Sequence, residues 1–259
     1  FCLSRGLGDV YKRQTMSKFI KDSLIIAWMK SFPDLRRNPL MIIVVAMITA
    51  IPLFFMVIFT GGGMLLHGLV GAMVSTIGFV GVASAIGEIS WDRYIKLREM
   101  MVAMPVHPLS YAMGIALAPL VLSIPTLVLF GAIASTWGVF TPANALWTIA
   151  ALLICWASTS AVSFLISTYM IKASPWLLNQ VSNILGIGLV FLPPVYYPET
   201  MLGNLSWISL VFPTSNAAGL IRAYLGLSVL SPENLIIRWL VLIVMTTVFI
   251  VLTSVKARW

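Results

Sequence analysis

The sequence predicts an all-α membrane protein with six spanning helices and both termini on the cytoplasmic side. Three observations carry that expectation. The chain is 60% hydrophobic and 9% charged over 259 residues, with a mean hydropathy of +1.00, whereas a soluble domain carries charge on about a quarter of its residues. From Leu40 onward the apolar residues fall in stretches of about 20, the length a helix needs to cross roughly 30 Å of hydrocarbon. Lys and Arg collect in alternate connections between those stretches, the asymmetry that orients membrane proteins.

Residues 1–15 read as a leader of adapter or vector origin, because they lack the apolar core of a signal peptide and Met16 opens a plausible frame. Cys2 would then be foreign, and Cys155 alone offers neither disulfide nor metal spacing. Residues 16–39 form a cytoplasmic interfacial segment. Ser17 to Asn38 can build a helix with Phe19, Ile20, Leu24, Trp28 and Phe32 beside Lys18, Lys21 and Lys30, which suits the headgroup layer. A basic leader that serves only topology is the other reading. Pro39 then permits a turn into the membrane.

Residues 40–259 form the six-helix domain, with spans at 40–59, 64–87, 109–135, 145–171, 176–197 and 235–255. Each must be helical because lipid offers the backbone no hydrogen-bond partners, and the alternation of a membrane barrel is absent. Lys18, Lys21, Lys30, Arg36 and Arg37 precede the first span; Arg93, Lys96 and Arg98 lie between the second and third; Lys172 follows the fourth; Lys256 and Arg258 follow the sixth. The opposite loops, 60–63 and 136–144, are uncharged, and the last outer segment has only Arg222 and Arg238 as basic residues. The net charge of +8 therefore reads as topology. It does not point to a nucleic-acid partner, since there is no basic soluble domain to hold one.

Two segments stand apart from the spans. Residues 88–108 intersperse Glu88, Trp91, Asp92, Arg93, Lys96, Arg98 and Glu99 with apolar Tyr94, Leu97, Met100, Met101 and Met104 at helical intervals, and end in a turn containing Pro105 and His107. That composition suits a short helix docking in a partner's groove. Between the fifth and sixth spans lie Pro193-Pro194, Pro198-Glu199, Trp207, Pro213 and Arg222. The apolar pieces there, 205–212 and 217–230, are too short or interrupted to span, which predicts re-entrant or interfacial helices.

An acidic residue ending the second span, a charged amphipathic segment, and this outer order of Pro, Trp, Pro and Arg together resemble the ABC type-2 transporter permeases. These are the membrane subunits of ATP-driven exporters of drugs, lipids and polysaccharides. The resemblance implies that Glu88, Trp91, Asp92, Arg93, Lys96, Arg98, Glu99, Pro105 and His107 form an ATPase-coupling segment, and that Pro198, Trp207, Pro213 and Arg222 form an outer signature. It further implies a homodimer or a sister permease, two separate cytoplasmic ATPase subunits carrying ATP and Mg²⁺, an amphiphilic or hydrophobic cargo moved outward, and a prokaryotic cell membrane around it.

The chain has no Gly-x-x-x-x-Gly-Lys-Ser/Thr phosphate loop, so the usual nucleotide chemistry belongs to another polypeptide and this one is expected to bind no cofactor. His67 and His107 stand outside any hydrolase motif, which leaves no catalytic or metal residue to name. Ionisable residues are nearly missing from the spans, which disfavours an ion relay. Glu88 serves either coupling or an ion pair with Arg93 or Arg98. Ser160, Ser163 and Ser167 in the fourth span, and Asn179, Ser182 and Asn183 in the fifth, line a substrate path or pack helices together. Gly68, Ala72 and Thr76 in the second span repeat at packing intervals, and Pro119 and Pro125 predict a bent third span. An ATP-independent channel or scramblase, and a scaffold anchoring a soluble partner, are the alternative classes.

Overall fold

The computed structural model describes residues 16–95 and 106–256. The helices are α1 (Met16–Arg37), α2 (Leu40–Thr60), α3 (Leu65–Tyr94), α4 (Pro108–Thr136), α5 (Pro142–Tyr169) and α6 (Pro175–Phe191), then a 3₁₀ turn (Glu199–Leu205), α7 (Ile208–Val211), α8 (Pro213–Tyr224) and α9 (Pro232–Lys256). No strand occurs among the described residues.

Proline marks where most of these helices begin. Its fixed φ suits the first helical position, where its missing N–H would be an orphan in any case. His107, Thr141 and Ser174 precede Pro108, Pro142 and Pro175, and each side chain caps its helix. His107 Nδ1 accepts from the Leu109 amide at 3.1 Å, and Thr141 forms a reciprocal capping box with Asn144. Ser231 caps α9 in the same manner through the Asn234 amide at 3.3 Å. At the other end of a helix, Gly61 takes φ 59° and closes α2 with a left-handed cap.

Five helices, α2, α3, α4, α5 and α9, are long and apolar enough to cross a membrane, which gives the chain the character of a multi-pass membrane protein. Their burial is unequal. In its most apolar window α3 is 83% buried, whereas α2 and α9 are each 17% buried. The bundle is accordingly built around α3, which packs against α2, α4, α5, α6 and α8.

Small residues make that crowding possible, since they let helix backbones approach closely. Four glycines of α3 each meet a different neighbour. A Cβ added at Gly68 would stand 2.5 Å from Leu53 of α2; at Gly71, 2.7 Å from the Tyr196 backbone; at Gly78, 2.9 Å from Thr214 of α8; and at Gly81, 2.9 Å from Thr159 of α5. On α6, Gly186 does the same against Phe79.

Two elements differ from the sequence expectation. The fifth span, expected over 176–197, is a helix of 17 residues that ends at Phe191, about 26 Å at 1.5 Å per residue. Pro193 and Pro194 cannot continue the helical ladder, so Val195 and Tyr196 turn back into the core, where the Tyr196 hydroxyl donates to the Thr49 carbonyl at 2.9 Å. The second span runs beyond residue 87 as unbroken helix to Tyr94. Helix α4 passes through Pro119 and Pro125 as one element.

Candidate functional site

The end of the bundle where α3 stops, α4 starts and α1 docks is a charged junction. Helix α1 packs along α4 and buries Ser23, Ile26, Ala27 and Ser31. Gly114 of α4 is the point of closest approach, because a Cβ there would lie 2.5 Å from Ile26. This docking carries Lys30 to the last turns of α3, where its ammonium donates to Glu88 Oε2 at 2.6 Å and to Asp92 Oδ1 at 2.7 Å. The Tyr111 hydroxyl of α4 donates to the other Asp92 oxygen.

Glu88 and Asp92 are four residues apart on one helix face, where like charges repel. A cation between them offsets that repulsion and explains how α3 remains helical this far. Burial alone would lower the pKa of the Lys30 ammonium, but its hydrogen bonds to Asp92 and Glu88 and their negative charge outweigh it and hold that pKa above the ordinary lysine value.

Glu88 pairs with Lys30; of the two partners expected for it, Arg93 turns elsewhere and Arg98 lies outside the described residues. Arg93 reaches across to α5 instead and donates to the Ser167 carbonyl at 2.7 Å. Trp91 is exposed and stacks on Tyr94 with ring centroids 5.5 Å apart. Of the expected coupling segment, the structure thus brings Glu88 and Asp92 together around Lys30, directs Arg93 to α5, leaves Trp91 on the surface, and uses His107 as the cap of α4. Lys96, Arg98, Glu99 and Pro105 lie outside the described residues.

The opposite end of the bundle is closed by the chain between α6 and α9. Pro198 precedes the 3₁₀ turn, and Pro213 opens α8. Arg222, 3% exposed in the last turn of α8, donates to the Pro194 carbonyl at 3.1 Å and to the Val195 carbonyl. These carbonyls lie beyond the end of α6, where no helical amide serves them, and the guanidinium satisfies them. Glu199 accepts from Arg238 of α9 and from Ser209 at 2.7 Å, and Gly219 leaves the space in which the Arg238 guanidinium lies. Trp207 remains exposed. Trp147, Tyr224 and Trp239 form an aromatic cluster from α5, α8 and α9, with the Trp239 indole donating to the Tyr224 hydroxyl at 2.9 Å.

The polar stripes differ in burial. Ser160, Ser163 and Ser167 are buried, and the Ser163 hydroxyl donates to the Gly81 carbonyl at 3.3 Å, which ties α5 to α3 at that point. On α6, Ser182 and Gly186 are buried, Asn183 is half-buried and Asn179 is exposed. Sequence reasoning counted Lys30 and Arg238 only as topology charges and did not single out Tyr111. The signal for Lys30 was the i, i+4 carboxylate pair itself, which requires a cation nearby, though nothing in the sequence chooses Lys30 over Arg93.

No protein-family model matches this chain, and no curated protein matches it.

Proposed function

We propose that the chain is the membrane-spanning permease subunit of an ABC type-2 exporter, acting as a dimer with itself or a sister permease and with two separate ATPase subunits that bind ATP and Mg²⁺. The observation that carries this reading is the charged junction. Helix α3 ends in a charged turn tied to α1 through Lys30, to α4 through Tyr111 and to α5 through Arg93. A push on residues 88–108 would therefore move four helices together. Closure of the ATPases supplies that push, and nucleotide shifts the equilibrium because it binds one arrangement of the dimer better than the other.

In this reading α6 is the sixth crossing, its 17 residues accommodated by local thinning of the bilayer. Both termini then share a side, and Lys18, Lys21, Arg36, Arg37 and Lys172 make that side cytoplasmic. The cargo is amphiphilic and moves outward.

The test is co-purification of the full chain, expressed with its neighbouring genes, in mild detergent. A stoichiometric P-loop ATPase is expected with the native chain and is expected to be lost in the triple variant Arg93→Glu, Arg98→Glu, Glu99→Lys, while membrane insertion is unchanged. Purification free of any ATPase, although one is expressed, refutes the reading.

A further inference from the structure

The cap formed by the chain between α6 and α9 holds more positive charge than it neutralises. Arg222 and Arg238 are 3% and 4% exposed, and among the described residues Glu199 is the one carboxylate that pairs with either guanidinium. Two cations and one anion leave a buried excess of one positive charge, which is costly away from water. Burial pulls the Arg222 pKa down to about 9; the charge of Glu199 opposes that shift and the charge of Arg238 adds to it, so the three groups act on one another.

Donors are in excess as well. Arg222 Nε, Arg238 Nε and Arg238 Nη1 are buried without a hydrogen-bond partner, and so is Ser215 Oγ. Ser215, Gly219 and Arg222 follow one another at intervals of four and three along one face of α8. The Arg238 guanidinium rests over the middle of that face, where a Cβ at Gly219 would stand 2.6 Å from Nη1. The unpartnered donors therefore gather on one strip between α8 and α9. Planar guanidinium forks match the oxygens of carboxylates and phosphates, and Glu199 already seats such a group on Arg238. We propose that Arg222 and Arg238 form an oxyanion site that takes the monoanionic headgroup of an amphiphile, with Glu199 as a tethered competitor at its entrance.

Exposure places the entrance. The Glu199 side chain is 25% exposed and that of Arg238 is 5% exposed, so the carboxylate stands between the surroundings and the buried guanidinium. The rim chooses an amphiphile over a free ion. Met201 and Leu205 in the same 3₁₀ turn as Glu199, and Trp207 and Val211 on either side of Ser209, which donates to Glu199, are all exposed. That apolar rim suits a hydrocarbon tail and offers nothing to inorganic phosphate. A single negative charge matches the excess in the cap, whereas a zwitterionic headgroup brings no net charge to offset it.

This proposal rests on the membrane reading above for the setting of the cap, and it involves no ATPase. The full chain, purified in neutral detergent, is titrated at constant ionic strength with dihexanoyl phosphatidylglycerol, dihexanoyl phosphatidylcholine or inorganic phosphate, and the unfolding midpoint is followed, because a ligand of the folded state raises it. Phosphatidylglycerol is expected to raise the midpoint more than either of the others. Glu199→Gln starts from a lower midpoint and is expected to respond at phosphatidylglycerol concentrations at least about fivefold lower, the small end of ordinary coupling between two ligands of one protein. Arg238→Gln is expected to lose the response, and Glu233→Gln, which removes a charge from the exposed first turn of α9, to keep the native one.

An equal response to phosphatidylcholine or to inorganic phosphate, a Glu199→Gln chain no more sensitive than the native one, a native response in folded Arg238→Gln, or a gain in Glu233→Gln equal to that in Glu199→Gln overturns the proposal. The Glu199 side chain is the more exposed of the pair, so its variant decides the matter even if Arg238→Gln fails to fold. Failure here leaves ATPase co-purification unaffected, and the reverse also holds.

Discussion

Replacing Lys30 with Met removes the cation that holds Glu88 and Asp92 together, and the cost can be worked from exposure. The Asp92 side chain is 5% exposed and would keep only the Tyr111 hydroxyl. Losing a hydrogen bond to a charged group at such a site costs about 1.5–3 kcal/mol. The Glu88 side chain is 32% exposed and can regain water, so its share is about 0.5 kcal/mol, within the range for solvent-exposed pairs. Lys30→Met should therefore destabilise the protein by about 2–3.5 kcal/mol. Asp92→Asn should cost a similar amount, and the double variant should fall short of the sum by about 1.5–3 kcal/mol, because the neutral pair leaves no stranded charge.

The assay is reversible unfolding in mixed micelles titrated with an anionic detergent, followed by far-ultraviolet circular dichroism for all four proteins of the cycle. Trypsin cleavage in α1 reports separately whether that helix has come away. The pH dependence adds a second criterion. A cation whose folded pKa is raised contributes fully below its unfolded value and loses that contribution as pH climbs through the folded one. For Lys30 the coupling should stay constant through the neutral and mildly alkaline range and decline only above about 10.5. Additive single effects, or a coupling lost well below that pH, would refute the argument that Lys30 joins α1 to α3.

Two further outcomes test the packing. Gly71→Ala should destabilise by about 1–3 kcal/mol, the usual cost of overpacking, because its Cβ would meet the Tyr196 backbone at 2.7 Å; Gly87→Ala, with nothing within 4 Å, should instead stabilise by up to about 1 kcal/mol from helix propensity alone. The same unfolding titration separates them by sign. Glu199→Gln should cost about 3 kcal/mol, at the low end for breaking a buried ion pair, since Arg238 is 4% exposed and loses its carboxylate; a midpoint equal to the native one would show that Ser209 and neighbouring carbonyls suffice for the guanidinium.

The long helices are legible in the sequence because length and composition are what a hydrocarbon slab selects for, and a continuous apolar run has few alternatives there. Their ends are less legible for the same reason: composition does not say where a helix stops. The run over 176–197 carries no charged residue to mark a stop, yet Pro193-Pro194 ends α6 early and sends Tyr196 toward Gly71. The prolines were visible, but the destination of the released chain depends on a glycine more than 120 residues upstream, and no local pattern encodes that pairing. The charged residues follow the same division. Glu88, Asp92 and Arg93 announce a special segment by their density, but their partners are chosen by helix docking, which depends on Gly114 admitting Ile26 and so setting the register of α1 on α4. Shift that register by a turn and Lys30 would no longer stand between the two carboxylates. The small residues therefore specify the junction as much as the charged ones do.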